Sequence, residues 1–156
     1  MTICGTGHRP NSLGGYAPAI FERLVALASS HLAADRPTKV ISGMALGWDQ
    51  ALARAAIELD IPTHAYVPCR GQESRWPLAS REVYQEILMC CTVRYVTEGS
   101  YSQFCMETRN RAMVDDSDSV LALWNGGRGG TGNCVAYARK VDKPIVNLWD
   151  IWEFEL

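Results

Sequence analysis

Short apolar runs of strand length alternate with longer stretches of helical spacing along most of the chain. The strand-like runs are TICG, KVISG, THAYVP, TVRYVT, SVLALW and PIVNLW. Strands that alternate with helices of about 10–15 residues are typical of βαβ units, and right-handed crossovers then place helices on both faces of a parallel sheet. We therefore predict an α/β, Rossmann-like fold, with a mostly parallel sheet of about six strands and helices on both faces.

The chain has 156 residues, of which 47% are hydrophobic, and this size favours a single domain over residues 1–156. Its net charge of −2 provides no global basic field, so we do not expect nucleic acid to be a partner. We find no charged leader before an apolar segment and no apolar run of about 18 residues, and we expect no membrane partner. The six cysteines lack zinc-module spacing, so we expect no metal site, and we expect no cofactor. The cysteines are expected to be buried free thiols, which predicts a cytoplasmic protein.

The stretch GTGHRP, residues 5–10, follows the first strand-like run. Ligands of open parallel sheets bind outside the carboxyl ends of the strands, so loops at this position are candidate sites. The glycines permit close approach of the backbone to a ligand, and the basic side chains add hydrogen-bond donors. An anion site is favoured over a plain turn, and the candidate ligand-binding residues are Gly5, Thr6, Gly7, His8 and Arg9.

The stretch SGMALGWDQ, residues 42–50, combines a Ser-Gly turn with the start of a helix, whose free N–H groups form an anion-binding end. The candidates in this stretch are Ser42, Gly43, Ala45 and Asp49. Asp49 has two interpretations that the residues alone leave open. Its carboxylate either complements the helix dipole or accepts hydrogen bonds from a ribose hydroxyl or a substrate amine.

The stretch NGGRGGTGNCV, residues 125–135, holds more glycines than an ordinary turn needs, although each one costs backbone entropy on folding. Phosphate binding by backbone N–H groups is the natural use of such a loop, and a flexible loop is the alternative. A helix is predicted to begin at Gly132 and Asn133. The candidate ligand-binding residues are Gly129, Gly130, Thr131, Gly132 and Asn133.

The helix-like stretch ETRNRAMVDDSD, residues 107–118, aligns Arg109 with the apolar Ala112 and Met113. This favours a partly buried guanidinium that meets an anion, with Asn110 beside it, whereas a snorkelling side chain is the alternative. Aromatic side chains near strand ends are candidates for stacking on a base, or else pack in the core. Among Trp48, Trp76 and Trp124, the last is best placed, immediately before the glycine-rich stretch.

Three stretches of the chain together resemble the loops of the SLOG superfamily, and the nearest resemblance is to its YpsA/YspA-like branch. These stretches are GTGHRP, SGMALGWDQ and RNRAMVDDSDSVLALWNGGRGGT. This Rossmann-like group contains the Lonely guy phosphoribohydrolases and the DNA-processing protein DprA. The resemblance implies a nucleotide or nucleotide-derived, ADP-ribose-like ligand in the cleft between these loops, and a phosphate loop after a late strand. Related folds often dimerise, so we also expect a homo-oligomer, either a dimer or a higher assembly.

One position departs from the pattern of the hydrolases in this superfamily. Arg109 matches the arginine of their motif, and Gly130 and Thr131 match its GT pair, but the glutamate falls at Cys134. A neutral thiol cannot stabilise the positive charge that develops on the sugar during glycosidic cleavage. We therefore predict ligand binding, as a sensor, carrier or sequestering protein, and assign no catalytic residue. The alternative is an N-glycoside hydrolase or nucleoside transferase in which Asp49 or Glu107 supplies a displaced acid.

Overall fold

The computed structural model describes residues 1–154, and within this range strands and helices alternate as the sequence predicts. The strands are β1 (Thr2–Gly7), β2 (Lys39–Ser42), β3 (Thr63–Val67), β4 (Thr92–Tyr95), β5 (Ser119–Leu123) and β6 (Ile145–Asn147). The α-helices are α1 (Pro18–Asp35), α2 (Trp48–Glu58), α3 (Leu78–Leu88), α4 (Gln103–Asp115), α5 (Gly130–Lys140) and α6 (Trp149–Phe154). A short 3-10 helix, Pro10–Ser12, follows β1.

The strands form one parallel sheet in the order β4-β3-β2-β1-β5-β6. Cys4 of β1 pairs with Ile41 of β2 on one side and with Val120 of β5 on the other. The chain runs outward from β1 to β4 and then returns to place β5 beside β1. Strand order therefore reverses between β1 and β5, the position at which open α/β sheets form a ligand crevice.

Helices cover both faces of the sheet, because apolar side chains point from the strands in both directions. On one face, Leu24 and Leu32 of α1 pack with Trp48 and Leu52 of α2, and Trp152 of α6 joins the same cluster. On the other face, α4 and α5 bury a cluster that includes Met113, Val114, Cys134 and Ala138 against the central strands. The predicted α/β, Rossmann-like architecture is confirmed.

One helix boundary at the candidate site depends on local backbone chemistry. Helix α5 begins at Gly130, two residues before the predicted start at Gly132, because Gly129 at φ +137° serves as its non-helical N-cap. The sequence of residues 150–156 alone allows either a short helix or a docked extension. The structure forms α6 and buries Trp152, while residues 155 and 156 lie outside the described range.

Within residues 1–154, no helix is both long enough and apolar enough to cross a membrane. In the same range, no cluster of three or more His, Cys, Asp or Glu side chains is arranged to hold a metal ion.

Candidate functional site

A cavity of about 380 Å³ lies at the carboxyl ends of β1 and β5, where strand order reverses. Its walls come from β1 and the loop that follows, from the start of α2, from α4 and from the start of α5. The predicted site residues that line it are Gly5, Thr6, Gly7, His8, Arg9, Ala45, Asp49, Arg109, Asn110, Gly130 and Thr131. Residues from all the predicted motifs therefore meet in one cavity.

A neighbouring cavity of about 350 Å³ shares Arg9, Met106, Asn110 and Gly130 with the first. It adds the predicted residues Gly129 and Asn133, and the exposed ring of Tyr101. The phenol of Tyr101 accepts a hydrogen bond from Nη2 of Arg9 at 3.4 Å. The two cavities together form a cleft with a deep end at Asp49 and an outer end at Tyr101, because Asp49 is buried and Tyr101 is exposed.

The glycine-rich stretch opens the amino end of α5 toward this cleft. Gly129 is the N-cap and makes no side-chain capping bond. A Cβ atom added at Gly129 or Gly130 would meet no described atom within 4 Å. Because the first N–H groups of a helix lack intrahelical partners and carry partial positive charge, this open end suits a phosphate group.

The amino-terminal half of the same loop is held in place. Trp124 exchanges hydrogen bonds with the side chain of Asn147, and its indole donates to the carbonyl of Gly127 at 2.8 Å. The backbone N–H of Asn125 donates a hydrogen bond to Nε2 of His8 at 2.9 Å. This bond joins the loops after β1 and β5. Trp124 therefore supports the loop and does not line either cavity.

Gly132, also predicted to contact the ligand, lies behind the loop. A Cβ at this position would lie 2.7 Å from the Gly127 carbonyl oxygen and 3.4 Å from the Trp124 indole nitrogen. Glycine is required there by the packing of the loop on α5, not by space for a ligand.

The loop after β2 is fixed by a buried polar network. Ser42 donates its hydroxyl to the carbonyl of Asp49 at 2.7 Å and accepts the amide of Met44 at 3.1 Å. The Gly43 carbonyl accepts hydrogen bonds from Arg109 and, at 3.2 Å, from Gln72. Ser42 and Gly43 thus shape the loop without lining the cleft.

Asp49 projects from the first turn of α2 into the deep end of the cleft. Its Oδ2 accepts the amide of Ala45 at 3.3 Å, so a carboxylate of the chain itself occupies part of the predicted anion-binding turn. Its Oδ1 is buried and has no hydrogen-bond partner among the described residues. Burial raises the pKa of Asp49 to about 6, although the positive charges of Arg109 and Arg9 act to lower it.

Arg109 is only 2% exposed, and its guanidinium is largely occupied by the protein. Nη1 donates to the carbonyls of Gly43 and Tyr66, and Nε donates to Oδ1 of Asn110 at 2.8 Å. These bonds tie α4 to the ends of β2 and β3. Arg109 therefore supplies positive charge to the wall of the cleft from a fixed position, whereas the exposed Arg9 is the more accessible cation.

Glycine is required in GTGHRP on the side that faces α2. A Cβ at Gly7 would lie 2.4 Å from the Trp48 ring, and one at Gly5 would lie 2.3 Å from a Leu52 methyl group. Trp48 itself is fully buried and donates its indole N–H to the Leu121 carbonyl at 3.3 Å. Trp48 is therefore a core residue. Trp76 packs edge-on against Tyr84 of α3.

Cys134 stands where the hydrolase motif has its glutamate, and it lies in the core beneath α5. It is 1% exposed, and burial raises the pKa of its thiol to about 11. At neutral pH the thiol is therefore uncharged. Of the two acids considered as replacements, Asp49 lines the deep cavity, whereas Glu107 lines the outer cavity.

Several residues that line the cleft were missed by the sequence analysis, namely Asn11, Ser12, Tyr101, Gln103, Met106 and Met113. Met106, Asn110 and Met113 recur at helical spacing with Arg109, so the α4 periodicity contained a signal for them. Asn11 and Ser12 directly follow GTGHRP. Tyr101 lies in an irregular loop, and no periodicity indicates its position.

Another concave region is an apolar groove of about 460 Å³ between α1, α2 and α3. None of the predicted site residues lines it. The predicted motifs therefore select the polar cleft over this groove.

Comparison with known families identifies the chain's relatives. The family model described as DNA recombination-mediator protein A matches residues 17–152, which include the carboxyl ends of β2 and β5 and helices α2, α4 and α5. The chain belongs to the DNA recombination-mediator protein A family. The SLOG-type, Rossmann-like relationship inferred from the loop motifs is thereby confirmed.

Relatives of this family member include an uncharacterised SPbeta prophage-derived protein, YoqJ, of Bacillus subtilis (strain 168). It is 26% identical over 155 residues, covering 86% of this chain and 90% of YoqJ. DNA processing protein A from Helicobacter pylori has a TM-score of 0.67 at 23% identity and covers 94% of this chain, which spans 64% of that one. The molybdenum cofactor carrier protein from Chlamydomonas reinhardtii has a TM-score of 0.59 at 21% identity, covering 94% of this chain and 74% of the other. At these identities, the structural matches establish the fold alone.

The expectation that nucleic acid is not a partner is wrong. The Helicobacter pylori protein of the same fold is described by its single-stranded DNA binding mode, and the matched family is named for DNA recombination. The expectation rested on a net charge of −2, which sums over the whole chain. Contact with a single strand depends on the local charge of one groove, and net charge does not report it.

Proposed function

We propose that the cleft binds a phosphate-bearing, nucleotide-derived ligand, with the phosphate at the amino end of α5. The observation that carries this proposal is the open helix end at Gly129 and Gly130. Gly130 lines the same cavity as Arg9 and the buried Asp49. Cavities that hold small ligands have volumes of roughly 300–1,000 Å³, and the deep cavity alone is about 380 Å³.

A binding role, as a sensor, carrier or sequestering protein, is supported by a protein of the same fold. The Chlamydomonas reinhardtii protein is named as a carrier of the molybdenum cofactor, so this architecture is compatible with carrying a small molecule. We further propose a cytoplasmic location, because buried free thiols such as Cys4, Cys69 and Cys105 are typical of proteins from reducing compartments. The expectation of burial is wrong for Cys90, whose thiol is exposed.

We propose that the ligand is bound without cleavage of its glycosidic bond. The uncharged Cys134 thiol lies in the core and offers no negative charge to a developing oxocarbenium ion. Incubation with nucleoside monophosphates followed by chromatography checks this point. Release of free base at a rate proportional to protein concentration would favour the hydrolase alternative, with Asp49 as the acid.

The phosphate cradle is tested by Gly130→Ala, measured by isothermal titration calorimetry with AMP and with ADP-ribose. The new methyl group meets no described atom within 4 Å, so folding stability should be unchanged or higher by up to about 1 kcal/mol. The methyl group would occupy the proposed phosphate position, and affinity should fall at least about tenfold. Gly99→Ala is the matched control, because Gly99 has similar open space and lies outside the cleft. If neither compound binds the unaltered protein, the proposal is wrong.

Single-stranded DNA is a second candidate ligand, favoured by membership of the DNA recombination-mediator protein A family. The same helix end and Arg9 would contact backbone phosphates, and the exposed Tyr101 ring offers a surface for base stacking. Fluorescence anisotropy with a labelled oligonucleotide tests this candidate. Displacement of the oligonucleotide by AMP would place both ligands in one cleft, and absence of binding at low salt would exclude DNA.

A further inference from the structure

We propose that the Asp49 carboxylate recognises a ribose hydroxyl, so that the cleft selects ligands with a ribose phosphate over those whose sugar lacks hydroxyl groups. This inference rests on the proposed function and specifies the chemistry of the ligand that the same site takes. It assigns Asp49 as a specificity-determining residue.

The first observation is an unsatisfied acceptor at the deep end of the cleft. Asp49 is 6% exposed, and its Oδ1 has no hydrogen-bond partner in the part of the chain that the structure describes. An ionised carboxylate only accepts hydrogen bonds, so Oδ1 requires a donor. Leaving a buried charged acceptor unpaired is costly, which favours an external group as its partner.

The second observation is that the buried cation in the wall of the cleft, Arg109, is committed elsewhere. Nη1 and Nε of Arg109 donate to the carbonyls of Gly43 and Tyr66 and to the side chain of Asn110. No ion pair between Asp49 and a Lys or Arg side chain occurs among residues 1–154. Arg109 and Arg9 therefore act on Asp49 at longer range and leave Oδ1 available.

The third observation is the lining of the deep cavity, which favours a sugar over a base as the group at Asp49. None of the described residues that line it is Trp, Tyr or Phe, whereas the outer cavity includes Tyr101. Base-binding sites commonly use aromatic faces, and sugar hydroxyls need polar acceptors. A ribose phosphate with its sugar toward Asp49 and its phosphate at Gly130 uses both features of the cavity.

Burial is compatible with this role at neutral pH. The pKa of Asp49 is raised to about 6, so near pH 7.5 the side chain is mostly ionised and able to accept. Neighbouring thiols at Cys4 and Cys134 have raised pKa values and remain uncharged there, so they do not compete as anions.

The test compares AMP with 2′,3′-dideoxy-AMP by isothermal titration calorimetry at pH 7.5. Losing a hydrogen bond to a charged acceptor weakens binding roughly 10- to 100-fold, so the dideoxy compound should bind at least about tenfold more weakly. In Asp49→Asn the ratio of the two affinities should fall to about threefold or less, because the charged acceptor is lost. In Glu82→Gln, which removes an exposed carboxylate of α3 outside both cavities, the ratio should be that of the unaltered protein.

The outcomes distinguish failure of this inference from failure of the proposed function. Equal affinities for AMP and the dideoxy compound overturn the role of Asp49 and leave the phosphate site standing. A preference for AMP that persists in Asp49→Asn also overturns it. Failure of both compounds to bind overturns the proposed function and this inference together. If Asp49→Asn does not fold, the comparison of the two nucleotides on the unaltered protein still decides.

Discussion

Asp49 illustrates how a single side chain can oppose stability at a candidate site. Its carboxylate is almost entirely buried, one oxygen has no partner within residues 1–154, and its pKa is raised despite two nearby arginines. Groups with this combination concentrate at functional sites, because their cost to folding is offset by a use in binding or chemistry.

We predict that Asp49→Asn is more stable than the unaltered protein at neutral pH. The folded-state pKa of about 6 exceeds the ordinary value of 3.8, so the folded protein holds this proton more tightly than the unfolded chain. The free-energy cost that the buried Asp49 carboxylate imposes on folding therefore grows as pH rises from about 4 to 6. It reaches about 3 kcal/mol and is constant above that range.

Urea denaturation measures this difference. The gain in Asp49→Asn should approach about 3 kcal/mol at pH 7.5 and fall to roughly half of that at pH 5. Glu107→Gln, a change at a less buried acid, serves as the control. A variant that is less stable than the unaltered protein at pH 7.5 would contradict the prediction.

Residue identities in the motifs were predictable from the sequence, but their individual roles often were not. Gly5 and Gly7 were interpreted as ligand-facing, yet Leu52 and Trp48 also require glycine there. That requirement depends on how α2 crosses β1, a tertiary contact that local spacing does not encode. Trp124 was likewise placed correctly before the glycine loop, while its indole bonds to Gly127.

At the scale of secondary structure elements, Arg109 connects three segments that are distant in sequence. From α4 it reaches the loop after β2 through Gly43, and the end of β3 through Tyr66. These carbonyls lie in the buried part of the structure, where an unpaired acceptor costs free energy. The guanidinium of α4 is thus a common hydrogen-bond donor to the loop after β2 and to β3.

We predict that Arg109→Ala lowers the free energy of unfolding by about 3 kcal/mol or more, because it leaves these acceptors unpaired and removes a buried side chain. Arg111→Ala is the matched control on the same helix, since Arg111 is exposed and its guanidinium lies 5.1 Å from the Tyr137 ring centre. The control should change stability by no more than about 1 kcal/mol. Urea denaturation of both variants is the measurement, and equal losses would contradict this account of Arg109.

The start of the helix after the glycine loop was hard to predict from the sequence. The start of α5 at Gly130 was missed because two glycines precede the apolar periodicity of that helix. Glycine has poor helix propensity, and sequence reasoning therefore moves the start to a later residue. The helix nevertheless begins earlier, since Gly129 provides the backbone conformation of an N-cap.

At the scale of the whole molecule, the parallel sheet and its crevice followed from the alternation of strands and helices. The net charge of the whole chain did not predict whether nucleic acid is a partner. A net charge of −2 is compatible with a cleft whose exposed cations include Arg9 and with a glycine loop that carries the exposed Arg128. Net charge describes solubility and long-range steering, whereas a binding groove is described by the charges that face it.

We predict a shallow salt dependence for binding of single-stranded DNA. If Arg9 and Arg128 each neutralise one phosphate, the slope of log K against log salt concentration should be about −1.4. Arg128→Ala should reduce the slope to about −0.7, and Arg81→Ala, an exposed change on α3, should leave it unaltered. Anisotropy titrations from low to physiological salt give the slope. A value several times steeper would indicate a more extensive basic surface than this one.

The anchoring of the glycine loop by Trp124, Asn125 and Asn147 has a consequence for binding entropy. Hydrogen bonds to Asn147 and His8 already order the loop up to Gly127 in the free protein. A ligand then needs to immobilise only the short remainder before α5, so little of its interaction energy is spent on ordering backbone. The anchored loop thus lowers the cost of ordering the backbone beside the phosphate position, so less of the interaction energy from added ligand contacts is lost on binding.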